Sequence, residues 1–227
     1  MGWLLHNAVV SALAALHAFL LTASTAHEGR RWYARWYGLC LIVAAVILSF
    51  GSLRAFVAEP FRVPGLSMAP FLPRGAYVVV AKHGFGKYAA YGLPIARRPV
   101  SAVLALGDVV VVESPDAPGT KYTRRVAGLP GDHVEYKARH LFVNGTPVAT
   151  SVPLEGQTFY ALEESLGGVK YLATYQGDVP TADFSAVVGE RQVVLLGDNR
   201  DESVDSRMWG AVDIESLYGR VIYVLRP

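Results

Sequence analysis

Three short segments concentrate the residues able to do chemistry. The first, FRVPGLSMAPFLPRG (61–75), sets Ser67 among Pro64, Gly65, Pro70 and Pro73. Proline and glycine fix an irregular backbone there. The ordinary meaning of such a serine is a turn residue; the sharper one is a hydroxyl held for nucleophilic attack. The second, YTRRVAGLPGDHVEY (122–136), places Arg124 and Arg125 ahead of Gly128, Pro130, Gly131 and Asp132, a tight turn between two strands. The third, LLGDNRDESVDSRMWG (195–210), puts a dense polar run directly behind an apolar strand. A solvated loop is its plain reading. Asp and Arg side chains so close together can instead form a paired, hydrogen-bonded scaffold.

The elements that must position these segments read as β-structure. YVVVAK (77–82), GDVVVVES (107–114), YTRRVAG (122–128), DHVEY (132–136), HLFVNGTPV (140–148), RQVVLLGDN (191–199) and GRVIYVL (219–225) are rich in Val, Tyr and Leu and bounded by turn residues. Asn-Gly in VNGT suits a two-residue hairpin. No ten-residue stretch after Tyr77 has a helical period, apart from a short turn around Asp213–Tyr218. Residues 83–106 and 150–190 read as long loops or an inserted hairpin. Ser67 lies 13 residues past Arg54, so an extended tether keeps it within roughly 45 Å of the end of the apolar region before it.

That apolar region has the character of a membrane anchor. Of the 227 residues 52% are hydrophobic and 18% charged, against about 25% charged in soluble domains, which disfavours disorder and suggests membrane segments. Residues 3–25 and 36–53 are uncharged runs of 23 and 18 residues, and a span needs roughly 20. Between them HEGRRWYAR (27–35) carries Arg30, Arg31 and Arg35, which makes that loop cytoplasmic by the positive-inside rule and turns both termini outward. The rival reading of the first run is a cleaved signal peptide ending at Ser24-Thr25-Ala26. Its uncharged start and its length favour a retained helix. The expected organisation is a membrane anchor over 1–60, with helices near 3–25 and 36–54 and a loop over 27–35. A mainly antiparallel β domain follows over 61–227.

Other chemistries are excluded or unsupported. Net charge is +2, with no basic footprint for nucleic acid. Cys40 is the single cysteine, so there is no intrachain disulfide and no cysteine-based zinc site. The six histidines show no metal-ligand spacing, and no cofactor motif is present.

Taken in order behind the membrane segments, SMAPFLPRG, RRVAGLPGD and GDNRDESVDSRMWG resemble the nucleophile box, the general-base box and the most diagnostic segment of bacterial type I signal peptidases, over roughly residues 40–227. The resemblance implies a membrane-bound serine endopeptidase in the plasma membrane, multi-pass, with its β domain outside the cytoplasm and no metal or cofactor. Its partners would be the lipid bilayer and the signal peptides of translocated preproteins, taken as a strand in an extended groove. It implies Ser67 as nucleophile with its own backbone N–H as an oxyanion donor, Ser203 as the residue orienting the base, and Asp205 with Arg207 as a structural ion pair. Two positions depart from the family. Gly65 stands where some relatives carry a hydroxyl that assists the oxyanion hole. Arg124 stands where the family has its general-base lysine, and a guanidinium with a pKa above 12 holds its proton where a buried lysine can lose it. Lys121, three residues upstream, is the nearest alternative, but on a regular strand it points to the opposite face from Arg124 unless a bulge corrects it, and Lys82, which ends the strand after Ser67, is not the base of active relatives. Three readings stay open: another group replaces the lysine, the enzyme is slow, or the chain is a paralogue that binds exported chains without cutting them.

Overall fold

The computed structural model describes residues 32–34, 36–90, 93–150, 154–155, 159–176 and 183–226, with positions 14, 16 and 17. The chain divides into two compact units, Met1–Gly51 and Ser52–Pro227. Helix α1 (Trp36–Ser52) carries no charged side chain and continues through a π-helical turn, Leu53–Val57. Among the described residues this is the one helix long and apolar enough to cross a membrane, 22 residues in all. The other expected span, 3–25, lies outside the described residues except for positions 14, 16 and 17, as does most of the loop over 27–35.

The second unit is mainly antiparallel β-structure. In chain order its strands are β1 (Ala58–Arg62), β2 (Tyr77–Ala81), β3 (Lys87–Ala90), β4 (Leu93–Arg97), β5 (Val109–Glu113), β6 (Lys121–Gly128), β7 (His133–Lys137), β8 (His140–Val143), β9 (Thr146–Pro147), β10 (Leu154–Glu155), β11 (Phe159–Leu166), β12 (Val169–Gln176), β13 (Phe184–Val187), β14 (Gln192–Leu196), β15 (Val212–Asp213) and β16 (Leu217–Leu225). The largest sheet has the order β1-β2-β16-β5-β6-β14-β15. Smaller sheets are β13-β7-β8-β9, β10-β11-β12 and the hairpin β3-β4. Strand β1 runs across position 60, so the large sheet begins within the stretch read as anchor.

Why the central strand is a bare run of valines is clear from what covers it. β5 is buried on both faces. Val109 and Val111 pack on one side with Val63, Met68, Leu72, Val78, Val80 and Tyr218. Val110 and Val112 pack on the other with Phe85, Val126, Leu195 and Leu217. Each valine buried contributes about 1.5–3 kcal/mol, and a β-branched run also suits the pleat. At the Asn144-Gly145 turn, φ is +53° and +75°, which fits the two-residue connection between β8 and β9.

The segment 150–190 is more regular than its sequence suggests. β11 and β12 pair over eight residues, from Phe159↔Gln176 to Leu166↔Val169. Their turn is Gly167-Gly168, both at positive φ. Leu162, Glu164 and Leu166 on β11, and Tyr171, Ala173 and Tyr175 on β12, are buried at alternate positions. Glu164 sits inside this apolar series and hides its period of two. In the segment 83–106 the inserted hairpin is β3-β4.

Candidate active site

Ser67 sits just past the end of the β1–β2 pairing. Val63 and Ala76 extend that ladder by one step (Val63 N to Ala76 O, 2.8 Å), and the chain then turns tightly, Ala69 N donating to Leu66 O at 2.9 Å and Leu72 N to Met68 O at 2.8 Å. Met68 and Leu72 are fully buried and plug this turn into the core, leaving Ser67 half-buried at its rim. Asn199 clamps the turn from the far side: its N–H donates to Ser67 O at 3.0 Å and its Nδ2 to Leu66 O at 3.3 Å. Among the described residues the Ser67 N–H has no acceptor.

Gly197 makes this approach possible. A Cβ there would lie 2.1 Å from Ser203 Oγ and 2.6 Å from Ser67 O, far inside contact distance. The glycine of the Gly-Asp-Asn motif is therefore required by close approach of two serine segments, whatever its backbone angles.

Arg124 reaches Ser67 from β6. Its Nη1 donates to Ser67 Oγ at 2.9 Å and to Thr123 O at 2.6 Å. Nε and Nη2 both donate to Val204 O, at 3.0 and 2.7 Å. The guanidinium lies 4.8 Å from the Tyr122 ring centroid and 5.9 Å from that of Trp209. The residue is 1% exposed, and burial pushes its pKa down to about 10, with Asp205 partly restoring the charge. At neutral pH it remains a cation that donates to the serine. It accepts nothing from it.

Ser203, expected to orient the group at the base position, does not bond to it. Among the described residues Ser203 Oγ is buried with no hydrogen-bond partner of good geometry. The neighbouring carbonyl of Val204 holds Arg124 instead, because a guanidinium needs acceptors in its plane and a main-chain oxygen supplies them. A backbone acceptor leaves no trace in residue identity, so sequence reasoning had no signal for it.

Beneath the site three further arginines, Arg125 and Arg200 buried and Arg207 partly buried, each hold a carboxylate. Arg207 grips Asp205 through Nε to Oδ1 and Nη2 to Oδ2, both at 2.9 Å, while Gly197 N also donates to Asp205 Oδ2 at 2.9 Å. Burial alone would raise the Asp205 carboxyl, but the Arg207 bonds and charge hold it below the usual range. Arg125 grips Asp198 at 2.8 and 2.6 Å and also donates to Gly107 O. Arg200 pairs with Glu164, and its Nε donates to Gly197 O at 3.1 Å. Arg200 belongs to the Asp/Arg-rich run read as a paired scaffold, Arg125 stood beside Arg124 with no partner assigned, and Asn199 and Glu164 were not singled out in the sequence.

The two lysines considered as substitutes for a base lie elsewhere. Lys82 is fully buried, with its Nζ 2.5 Å from Glu59 Oε2 and donating to Arg54 O at 3.1 Å. Lys121 Nζ sits 3.5 Å from the centroid of the Tyr218 ring. Neither amine bonds to Ser67.

A family model described as signal peptidase, peptidase S26, matches residues 33–225. The chain belongs to this signal peptidase family. It is 36% identical over 182 residues to signal peptidase I of Pseudomonas fluorescens, covering 74% of this chain and 62% of that protein. It is 32% identical over 191 residues to signal peptidase IB of Staphylococcus aureus strain Mu50, covering 83% of this chain and 87% of that protein. The chain thus spans less than two thirds of the length of its Pseudomonas relative. Within the S26 match lie the Ser67 turn, the β6 arginines and the Gly197–Arg207 scaffold, one contiguous assembly made from three separated segments.

Proposed function

We propose that this chain is a membrane-bound serine endopeptidase that removes signal peptides from exported proteins, with Ser67 as nucleophile and Arg124 as its charged partner. The observation that carries the reading is the 2.9 Å bond from Arg124 Nη1 to Ser67 Oγ inside a family-type scaffold. In this reading the site faces outward from the plasma membrane, and α1 is part of the anchor. Ser67 Oγ attacks the scissile carbonyl. The Ser67 N–H and the guanidinium stabilise the oxyanion. The proton on Ser67 Oγ has no strong acceptor at pH 7, since with a pKa of about 10 only about one Arg124 in a thousand is neutral.

The expected consequence is a slow enzyme whose rate rises about tenfold per pH unit from pH 7 and levels off near pH 10, where the arginine titrates. Arg124→Lys should raise the neutral-pH rate about 10²–10⁴-fold and move the plateau to lower pH. The measurement is cleavage of a preprotein by the full chain in detergent or liposomes, with Ser67→Ala as the blank. Cleavage that survives Ser67→Ala overturns the assignment of the nucleophile. A second reading, a paralogue that binds exported chains without cutting them, draws support from the direction of the same bond, because donation into a serine lone pair weakens it as a nucleophile. Binding without cleavage at any pH, in wild type and in Arg124→Lys, would establish that reading.

A further inference from the structure

Of the four arginines around the site, three have a carboxylate of their own: Arg125 with Asp198, Arg200 with Glu164 and the partly buried Arg207 with Asp205. Arg124 has none within 4 Å among the described residues, and all its acceptors are neutral: Val204 O, Thr123 O and Ser67 Oγ. A cation taken out of water without a counter-charge is costly, and the usual outcomes are neutralisation or pairing. Here burial lowers its pKa yet leaves it charged at neutral pH. The charge ends at the half-buried hydroxyl of Ser67, beside a backbone N–H with no acceptor. A guanidinium N–H and, among the described residues, a backbone N–H with no acceptor thus both lie at Ser67, donors of the kind that hold an oxyanion, with a full positive charge behind one of them.

Next to this anion site is an open strand edge. β6 pairs with β5 from Lys121 to Arg125, but with β14 only from Arg125 to Gly128. Along Lys121–Arg124 the second edge of β6 has no partner strand among the described residues. The chain through Pro64 and Gly65 also leaves its ladder, and a Cβ on Gly65 would meet nothing closer than Ser67 N at 4.0 Å. An extended peptide can add to such an edge through main-chain hydrogen bonds, and its last residue then lies at Ser67.

From these two features together we propose that the Ser67–Arg124 site binds peptides by a free C-terminal α-carboxylate, which would supply the contacting carboxylate that Arg124 lacks. The ligand class is an extended peptide that ends at Ser67, chemically the amino-side product of a peptide-bond cleavage at this place. A substrate runs on past Ser67 and has only a neutral carbonyl there. With a neutral lysine at position 124 the site would have no fixed charge to tell the two apart; with Arg124 it retains the acid over the uncut chain. The inference rests on the reading of this groove as a peptide site. It holds whether or not the bond is cut here, and where it is cut it makes the enzyme subject to strong product inhibition.

The test is binding of matched synthetic peptides to the full chain in detergent, read by fluorescence anisotropy at pH 7. One peptide has an apolar run ending Ala-Gln-Ala with a free carboxylate, one is the same peptide as its C-terminal amide, and one continues six residues further. Hydrogen bonds to a charged group imply that the free acid binds about 10- to 100-fold tighter than the amide. The preference should vanish in Arg124→Met and fall sharply in Arg124→Lys, whose buried amine is largely neutral at pH 7. It should also fade below about pH 4 as the α-carboxyl protonates. Equal affinity for acid and amide, with both bound, overturns the carboxylate inference while leaving the peptide groove in place. Failure of all three peptides to bind overturns the groove and the inference with it. Near-ultraviolet circular dichroism of Arg124→Met shows that it is folded; if it is not, the acid-to-amide ratio in wild type and Arg124→Lys decides alone.

Discussion

Arg124 and Arg125 are neighbours on one strand, buried to 1% and 2% exposure, and the chain uses them in opposite ways. Arg125 points to the face of Phe71 and Tyr171 and closes a two-bond fork on Asp198. Arg124 points to the face of Tyr122 and Trp209 and ends on a serine. Residue type and burial are therefore poor guides to role in this protein. What separates scaffold from site is whether the buried charge is neutralised locally. The paired arginines hold the frame still, and the unpaired one leaves an electrostatic demand facing solvent.

The sharpest way to break this contrast is to remove both charges in turn. Arg125→Met strands Asp198 in the interior, which typically costs about 3–5 kcal/mol. Arg124→Met strands no carboxylate, and the loss of its carbonyl bonds is offset by relief of desolvation, so it should cost about 1 kcal/mol or less. Thermal unfolding of the full chain should show a drop of roughly 10 °C for the first and a few degrees at most for the second. Equal drops would mean that Arg124 is scaffold too.

An intermediate effect is expected where scaffold and site touch. Gly197→Ala drives a methyl group into Ser203 Oγ and Ser67 O. Overpacking of this kind costs about 1–3 kcal/mol, and because the clash falls on the Ser67 carbonyl it should also abolish labelling of Ser67 by an acylating probe. Unchanged labelling would show that the Asn199 clamp tolerates displacement. The smallest effect concerns acid. The folded-state pKa of Asp205 is depressed, so its contribution to stability is full above the unfolded value of about 3.9 and is lost as pH falls through the folded value. Asp205→Asn should remove that part of the acid sensitivity below about pH 4 and leave the dependence between pH 6 and 8 unchanged. A change in the neutral range would point to a different titrating group.

The sequence made much of this legible. The valine run of β5, the Asn-Gly hairpin and the main strands announce themselves by composition and turn chemistry. Residues 150–190 did not, because Glu164 interrupts the apolar alternation of β11, and its partner Arg200 is distant in sequence. The position of Arg124 was legible from the box it occupies, and so was the chemical difficulty it brings. Its true support was not: Val204 contributes a carbonyl, which every residue has. Ser203, the side chain that the motif favours for that task, lies against Gly197 and makes no hydrogen bond to Arg124 among the described residues.

Strand order has a consequence for how the molecule assembles. β16 lies between β2 and β5 in the large sheet, so strands from the first and middle parts of the domain meet only through a strand that is made after both. Ser67 likewise finds its partners 57 residues on at Arg124 and 132 residues on at Asn199. Contacts so far apart in sequence carry a high loop-closure cost before they return any energy, which places this domain among slow folders. During synthesis Ser67 is translated long before Arg124 and Asn199, which bond to it. A growing chain therefore leaves the ribosome with Ser67 already made and the side chains that contact it still to come.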